Sequence, residues 1–131
     1  MVRKIFILSF IHAAAIVAFM GFTAFQQSSK AEFKFEKETH DFGKIPLNKP
    51  VTYEFKFTNV GTEPIIISKV ESNCGCTVPQ YTQAPIKPGE EGSISVTYNA
   101  SSVSHFSKSV RVFSNAKTPI KSLYVKGEVT N

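Results

Sequence analysis

The chain has 131 residues, with 15 Lys or Arg against 10 Asp or Glu and a formal net charge of +5. This length fits one domain and leaves no room for a second hydrophobic core. The lysines are dispersed and no basic run alternates with aromatic residues, so we expect no nucleic-acid partner.

The N-terminal residues have the order of a secretory signal. A basic start precedes an apolar run from Ile5 to Phe22, and the polar stretch TAFQQSSKA follows. Ser29 and Ala31 form a better small-residue pair for cleavage than Ala24, which has a large Phe two positions earlier. We therefore predict a signal peptide over residues 1–31, cleaved near Ala31.

The same segment is alternatively an uncleaved anchor. The run from Ile5 to Phe25 is about 21 residues long, which is enough to span a bilayer as a helix. In both cases residues 32–131 form the domain. We predict that this domain is exported to the periplasm or cell envelope and meets the membrane only through the N-terminal segment.

The remaining sequence predicts strands separated by turns. The first is FKFEK, Phe33 to Lys37, running on towards HDFGKI, and the next is VTYEFKFTN from Val51, which alternates apolar and polar residues. In the turn NVGTEP, Asn59 and Gly61 tolerate left-handed backbone and Pro64 closes the turn. IIISKV, Ile65 to Val70, is apolar and β-branched enough for a central strand.

The second half continues the pattern. PGEEG, Pro88 to Gly92, has the composition of a turn, and the residues from Ile94 to Tyr98 then alternate again. Another strand is predicted over Phe106 to Ser114. In the last strand Gly127 interrupts an apolar face, which indicates a bulge or a close approach of another group.

About seven short strands predict an all-β, antiparallel immunoglobulin-like β-sandwich, preceded by the N-terminal signal or anchor helix. The sequence has no Trp, and its two Cys are too close together to span two strands, so the antibody-type core disulfide is missing. Twelve Phe and four Tyr make a core held by apolar burial plausible instead.

Both cysteines lie in one short stretch, SNCGCTVPQY, as Cys74 and Cys76. In an oxidising compartment nearby thiols tend to pair, and Gly75 allows the bend that a bridge needs. The pair is therefore a candidate disulfide or thiol pair. Soft-metal capture, with copper or zinc, and thiol exchange stay open, although Cys-x-Cys spacing and the lack of a thioredoxin-like pattern disfavour exchange.

Catalysis is not expected. His40 and Asp41 are sequence neighbours, so on a strand they point to opposite faces and Asp41 is badly placed to orient His40. We predict hydrogen bonds to the backbone for this pair instead. The glycines are scattered singly, which excludes a phosphate-binding loop.

A metal site is supported by one argument, which comes from strand topology. If successive strands alternate in direction, His40, Cys74, Cys76 and His105 all come to one end of the sandwich, away from the turns at Gly61 and Gly89. No cofactor is predicted, and copper or zinc at these four residues is the alternative.

Several stretches together resemble the DUF1573 family, which is common in exported proteins of Bacteroidetes and related to the Ig-like modules of the ASPM/SPD-2/Hydin group. They are THDFGKI, YEFKFTNVGTEPIII, SNCGCTVPQYTQAPIKPGEEGSISVTYN, VFSN and LYVKGEV. The resemblance implies an Ig-like fold and an envelope location, and little about chemistry. The residues that match the family motif are His40, Asp41, Phe42, Gly43, Cys74, Gly75 and Cys76. Where this chain has VSHFSK the family often has a Gly, so the resemblance does not extend to His105.

The predicted function is an exported, non-catalytic Ig-like module that binds or scaffolds an unidentified envelope protein. The alternative is a small protein that binds copper or zinc, or exchanges thiols, through its Cys-Gly-Cys loop.

Overall fold

A computed structural model describes residues 30–131 of the chain as a two-layer β-sandwich. Its strands are β1 (Phe33–Phe35), β2 (Thr39–Pro46), β3 (Val51–Asn59), β4 (Ile67–Ser72), β5 (Thr77–Tyr81), β6 (Glu91–Tyr98), β7 (His105–Ser114) and β8 (Ile120–Thr130). The predicted signal or anchor helix lies outside the described residues, apart from Lys30 and Ala31. Between residues 30 and 131 we find no helix with the length and apolar character needed to cross a membrane.

The first sheet has the order β1-β3-β6-β5 and the second sheet has the order β2-β8-β7-β4. The predicted immunoglobulin-like sandwich is confirmed, with one difference in strand direction. β2 pairs with β8 in parallel, whereas the other pairs in the described part are antiparallel. The cause lies in the predicted first strand, which is two strands in different sheets: the chain changes sheet between Phe35 and Thr39 without reversing direction.

The core follows from the alternation in the strand sequences. Along β3, Phe55 and Phe57 are each 1% exposed, whereas Glu54 and Lys56, which alternate with them, face solvent. Side chains from both sheets meet these rings in one apolar cluster. A second, smaller cluster contains Ile45, Tyr98, Ala100, Phe106 and Val129.

The segment Ile65 to Val70 is not a central strand. β4 begins at Ile67 and forms an edge of the second sheet, while Ile65 makes an isolated bridge with Ile86. Ile65 and Ile67 are buried between the sheets, but Ile66 points outward and is 53% exposed. The apolar run therefore reflects one buried face and one exposed Ile, and not burial on both faces.

The loops divide between two ends of the sandwich. The disulfide end, as we call it, consists of loops 47–50, 73–76 and 99–104, and the Lys30 end consists of residues 30–32, 60–66, 82–90 and 115–119. Backbone hydrogen bonds hold each group together, such as Asn48 N to Ala100 O at 2.8 Å and Lys117 N to Ala31 O at 2.9 Å.

Asn59 and Gly61 at the Lys30 end are not in left-handed conformations, which in residues 30–131 occur at Gly43, Asn48, Gly89 and Ala100. Asn59 is 1% exposed, and its side chain donates to Glu63 O at 2.7 Å and Ile86 O at 2.9 Å. Its Oδ1 accepts from Gly61 N at 2.9 Å. This Asn therefore ties the turns of the Lys30 end together through its amide.

Candidate functional site at the disulfide end

The Cys-Gly-Cys stretch is the point where the chain crosses between sheets. β4 ends at Ser72 in the second sheet, and β5 begins at Thr77 in the first. Asn73 N donates to Ser109 O at 3.2 Å, while Cys76 O accepts from Asn99 N at 3.0 Å. The two ends of this four-residue crossover are therefore fixed to opposite sheets.

Cys74 and Cys76 form a disulfide inside the crossover, with their Cα atoms 5.4 Å apart. Cys76 N donates to Cys74 Sγ at 3.3 Å, and the buried Thr77 Oγ1 lies 3.8 Å from one sulfur and 3.9 Å from the other. Cys76 packs against the smaller core cluster. The bridge thus closes the core at this end and makes the crossover compact.

The His40 to Gly43 motif is used to shape β2. The His40 ring lies inward and stacks on Tyr53, with centroids 3.7 Å apart and planes 7° apart, and meets Phe42 edge-on at 4.6 Å. Asp41 accepts a 2.8 Å hydrogen bond from Gly43 N, so the predicted hydrogen bonding to the backbone is found for Asp41, whereas His40 is held by its ring contacts. Gly43 has φ of +67°, and the β2–β8 register shifts between Asp41 and Lys44.

Burial is the main cause that lowers the pKa of His40 below its ordinary value of 6.5. The nearby Lys37 lowers this pKa further, and Asp41 opposes both effects. His40 is therefore favoured as a neutral aromatic ring at neutral pH. A stacked, neutral ring suits packing between the sheets.

Gly127 accommodates the irregularity in β2. A Cβ at this position would lie 2.8 Å from Gly43 O and 2.8 Å from the Phe106 ring. The predicted close approach is therefore found at Gly127 in β8, and the bulge itself lies in the neighbouring strand β2.

The four candidate metal ligands are not brought together. His40 lies on edge strand β2, where it pairs with Val125 of β8. The crossover follows the opposite edge strand, β4. Those edges are three strand spacings apart, or about 14 Å. His105 lies on β7 with its side chain 85% exposed and its Nε2 3.8 Å from Glu128 Oε1. Within residues 30–131 we find no group of three or more His, Cys, Asp or Glu side chains arranged to hold a metal ion.

A shallow groove of about 340 Å³ lies beside the bulge. It contains charges of both signs, and the strand register pairs Asp41 with Lys126 and Lys44 with Glu128. Gly43 and Gly127 both line it, and the space beside Gly43 is open, since a Cβ there would meet nothing within 4 Å. Sequence reasoning missed Lys44, Lys126 and Glu128, although the gap at Gly127 was the signal that could have drawn attention to them.

The two ends of the sandwich differ in charge. The loops of the disulfide end contain one charged side chain, Lys49, whereas those of the Lys30 end contain six: Lys30, Glu32, Glu63, Lys87, Glu90 and Lys117. Val103 at the disulfide end is 54% exposed, and Leu47 is half-buried against the smaller core cluster. Depletion of charge is typical of the centre of a protein interface.

Each sheet edge carries a feature that limits the addition of another strand. β1 has three residues, β5 contains Pro79, and β2 is bulged. β4 has a register shift between Ile67 and Lys69 and ends in the crossover. Short, bulged or Pro-containing edges disfavour pairing with another chain, so the described sheet edges are protected against the addition of a strand.

Comparison with known proteins agrees with this architecture. The model of the family described as "Protein of unknown function (DUF1573)" matches residues 33–129. None of the curated proteins searched matches the chain.

Solved structures with a similar fold come from several organisms. A protein of unknown function from Porphyromonas gingivalis W83 has 16% identity and a TM-score of 0.67, over 82% of this chain and 51% of that one. The ASH/PapD-like domain 7 of human CEP192 has 8% identity and a TM-score of 0.66, over 84% and 93%. The secreted serine protease VesC from Vibrio cholerae has 14% identity and a TM-score of 0.55, over 79% and 24%.

The chain thus spans about half of the Porphyromonas protein and about a quarter of the protease. At these identities the likeness concerns the fold alone. A family of unknown function with an Ig-like fold is compatible with a non-catalytic module.

Proposed function

The chain belongs to the DUF1573 family, and we propose that it is an exported, non-catalytic Ig-like module of the cell envelope that binds another protein through its disulfide end. The observation that carries the proposal is the contrast between the two ends. One charged side chain lies in the loops of the disulfide end, against six at the Lys30 end.

The residues whose side chains could take part in chemistry already have structural roles. His40 stacks on Tyr53 and meets Phe42 edge-on, Asp41 accepts a backbone hydrogen bond, and Cys74 and Cys76 are bonded to each other. Within residues 30–131, buried side-chain polar atoms all have hydrogen-bond partners. These assignments leave the surface loops as the part of the domain available for function.

The disulfide and the N-terminal segment support export. Disulfides persist in oxidising compartments such as the periplasm and are rare in the cytosol. The bridge in the crossover and the signal-like order of the first residues are therefore consistent with one another. Fractionation of cells that make the full chain tests this part, and recovery in the cytosol with free thiols would refute it.

Partner binding is tested by capture from envelope extract with two matched charge variants. Val103→Asp places a carboxylate in the disulfide end, and Thr118→Asp places one in the Lys30 end. We expect Val103→Asp to lower the yield of the captured protein at least several-fold while Thr118→Asp retains it. Equal capture by both variants, or a loss confined to Thr118→Asp, would refute the assignment.

The same assay separates binding from thiol exchange. A Cys74→Ser, Cys76→Ser double variant cannot form a mixed disulfide. Retained capture by this variant under mild conditions favours non-covalent binding. Capture that depends on a covalent adduct to Cys74 or Cys76, released by a thiol reductant, would favour exchange.

A further inference from the structure

The first described residues are part of the folded domain. Ala31 is completely buried in the larger core cluster, and its carbonyl accepts a 2.9 Å hydrogen bond from Lys117 N. Lys30 O accepts another from Thr62 N at 3.1 Å. The chain therefore enters the sandwich at the Lys30 end, with its backbone fixed by two turns.

This position changes the argument about N-terminal cleavage. Cleavage after Ala31 would remove a buried core residue and both hydrogen bonds, and would leave a new charged N-terminus at Glu32. Glu32 N lies 3.4 Å from Oδ1 of the buried Asn59. The site with the better small-residue pair is thus the one that damages the domain, and the remaining candidate, Ala24, has the unfavourable Phe22.

We infer that the apolar segment from Ile5 to Phe25 is retained as a membrane anchor, so that the Lys30 end lies at the lipid surface and the disulfide end points away from it. This inference goes beyond the proposed function, because it holds whether or not the disulfide end binds a protein. It identifies the bilayer as the neighbour of one end of the sandwich.

Chain length sets how close that end must be. Four residues, 26–29, separate the apolar run from Lys30. Even fully extended they span only about 14 Å. The sandwich itself is longer, since β8 has eleven residues and a strand of that length extends roughly 35 Å. This tether, residues 26–29, therefore cannot reach around the domain and bring the disulfide end to the membrane.

The surface at the Lys30 end is compatible with a lipid interface. Val60 and Ile66 are 50% and 53% exposed there, and Ile120 at the start of β8 is 48% exposed. The six charged loop residues of the Lys30 end are three Lys and three Glu, so anionic headgroups neither attract nor repel this end strongly. Proximity is thus imposed by the short tether, and the exposed apolar side chains make it tolerable.

Intact mass of the full chain produced in a Gram-negative host tests the anchor. We expect the protein in the membrane fraction with the mass of a chain that still contains the run up to Phe25. A mature chain that begins after Ala24, after Phe25 or at any later residue would overturn the inference.

Fluorescence quenching of the full chain in proteoliposomes tests the orientation. A fluorophore is attached at Thr118→Cys in the Lys30 end or at Ser102→Cys in the disulfide end, the native cysteines being paired with each other. With a quencher on the lipid headgroups, we expect several-fold stronger quenching at residue 118 than at residue 102. Equal quenching, or stronger quenching at residue 102, overturns the orientation without affecting the partner-capture result.

Discussion

His40 in β2 stacks on Tyr53 in β3, with ring centroids 3.7 Å apart, and so joins the second sheet to the first. Tyr53 in turn meets Phe55 of the core edge-on at 4.8 Å. The imidazole therefore belongs to a chain of aromatic contacts that leads from the sheet edge into the core. Its role is explained by packing, and needs no catalytic partner.

Removing this ring should destabilise the domain. His40→Ala deletes the stacking contact and leaves Tyr53 partly uncovered, so we expect the free energy of unfolding to fall by about 1 kcal/mol. His40→Phe retains an aromatic ring and should lose less. Urea unfolding of the two variants measures the difference, and equal losses would show that the aromatic stack is not the stabilising contact.

Stability should fall as the pH is lowered through the range just below 6.5. Burial and Lys37 lower the pKa of His40 in the folded chain, and Asp41 offsets this only in part. The unfolded chain therefore binds a proton at His40 more readily than the folded chain. The contribution of neutral His40 to the free energy of unfolding is thus complete above pH 6.5 and is lost on acidification.

Unfolding midpoints measured between pH 5 and 8 check this dependence. The lower limit keeps the titration of Glu71, whose pKa is lowered from 4.5 by Lys69 and then Arg111, largely outside the range. His40→Phe should show a flatter profile than the unmodified chain. Parallel profiles would contradict the assignment of the slope to His40.

Gly61→Ala should be destabilising because of where its Cβ would fall. That atom would collide with the backbone of Lys30, Ala31 and Glu32, so the N-terminal segment would have to move out of the core. We expect a loss of about 1–3 kcal/mol. Gly75→Ala is the matched control, since its Cβ would meet nothing within 4 Å, and its thermal unfolding midpoint should be nearly unchanged.

The buried Asn59 should be among the most sensitive polar residues. Asn59→Ala removes the amide that bonds Glu63 O, Ile86 O and Gly61 N, and leaves these groups without that partner at the Lys30 end. We expect a loss of about 2–4 kcal/mol in chemical unfolding. The exposed Asn99, which accepts one hydrogen bond from Ser101 N, provides the comparison; similar losses for Asn59→Ala and Asn99→Ala would contradict the argument.

Period-2 alternation was sufficient to predict the sandwich and the buried face of β3, because a strand in a sandwich has one solvent-exposed face and one buried face. It failed for Ile65 to Val70, since three consecutive Ile residues look the same whether one or two faces are buried. The burial of Ala31 was not predictable from a small apolar residue in a polar stretch. Only the fold shows that residue meeting Lys117 across the Lys30 end.

The candidate site was predictable in part for a related reason. A bend at Gly75 follows from local sequence, so the pairing of Cys74 with Cys76 could be anticipated. Convergence of His40 and His105 on that pair depended on lateral strand order, which alternation along the chain does not contain. The order of the second sheet places β2 and β4 at opposite edges, and the height of a residue along the sandwich says nothing about that separation.

The disulfide should contribute modest stability, and replacing Cys76 should cost more than replacing Cys74. A closed loop of three residues gives an entropic gain of only about 1.6 kcal/mol, and the crossover is also held by Asn73 N to Ser109 O and Asn99 N to Cys76 O. Cys74→Ser should therefore cost about 1–2 kcal/mol. Its hydroxyl can still accept the hydrogen bond that Cys76 N donates to the sulfur at 3.3 Å.

Cys76→Ser should cost more, by about 1 kcal/mol, because the new hydroxyl would face the apolar cluster of Ile45, Tyr98 and Phe106. Urea unfolding with a reductant present compares the two variants without intermolecular disulfides, and the reduced, unmodified chain is the reference. In that comparison the chain with Cys74→Ser should nearly match the reference, while the chain with Cys76→Ser should be less stable. The opposite order would mean that Cys74, and not Cys76, is the sulfur that closes the core at the disulfide end.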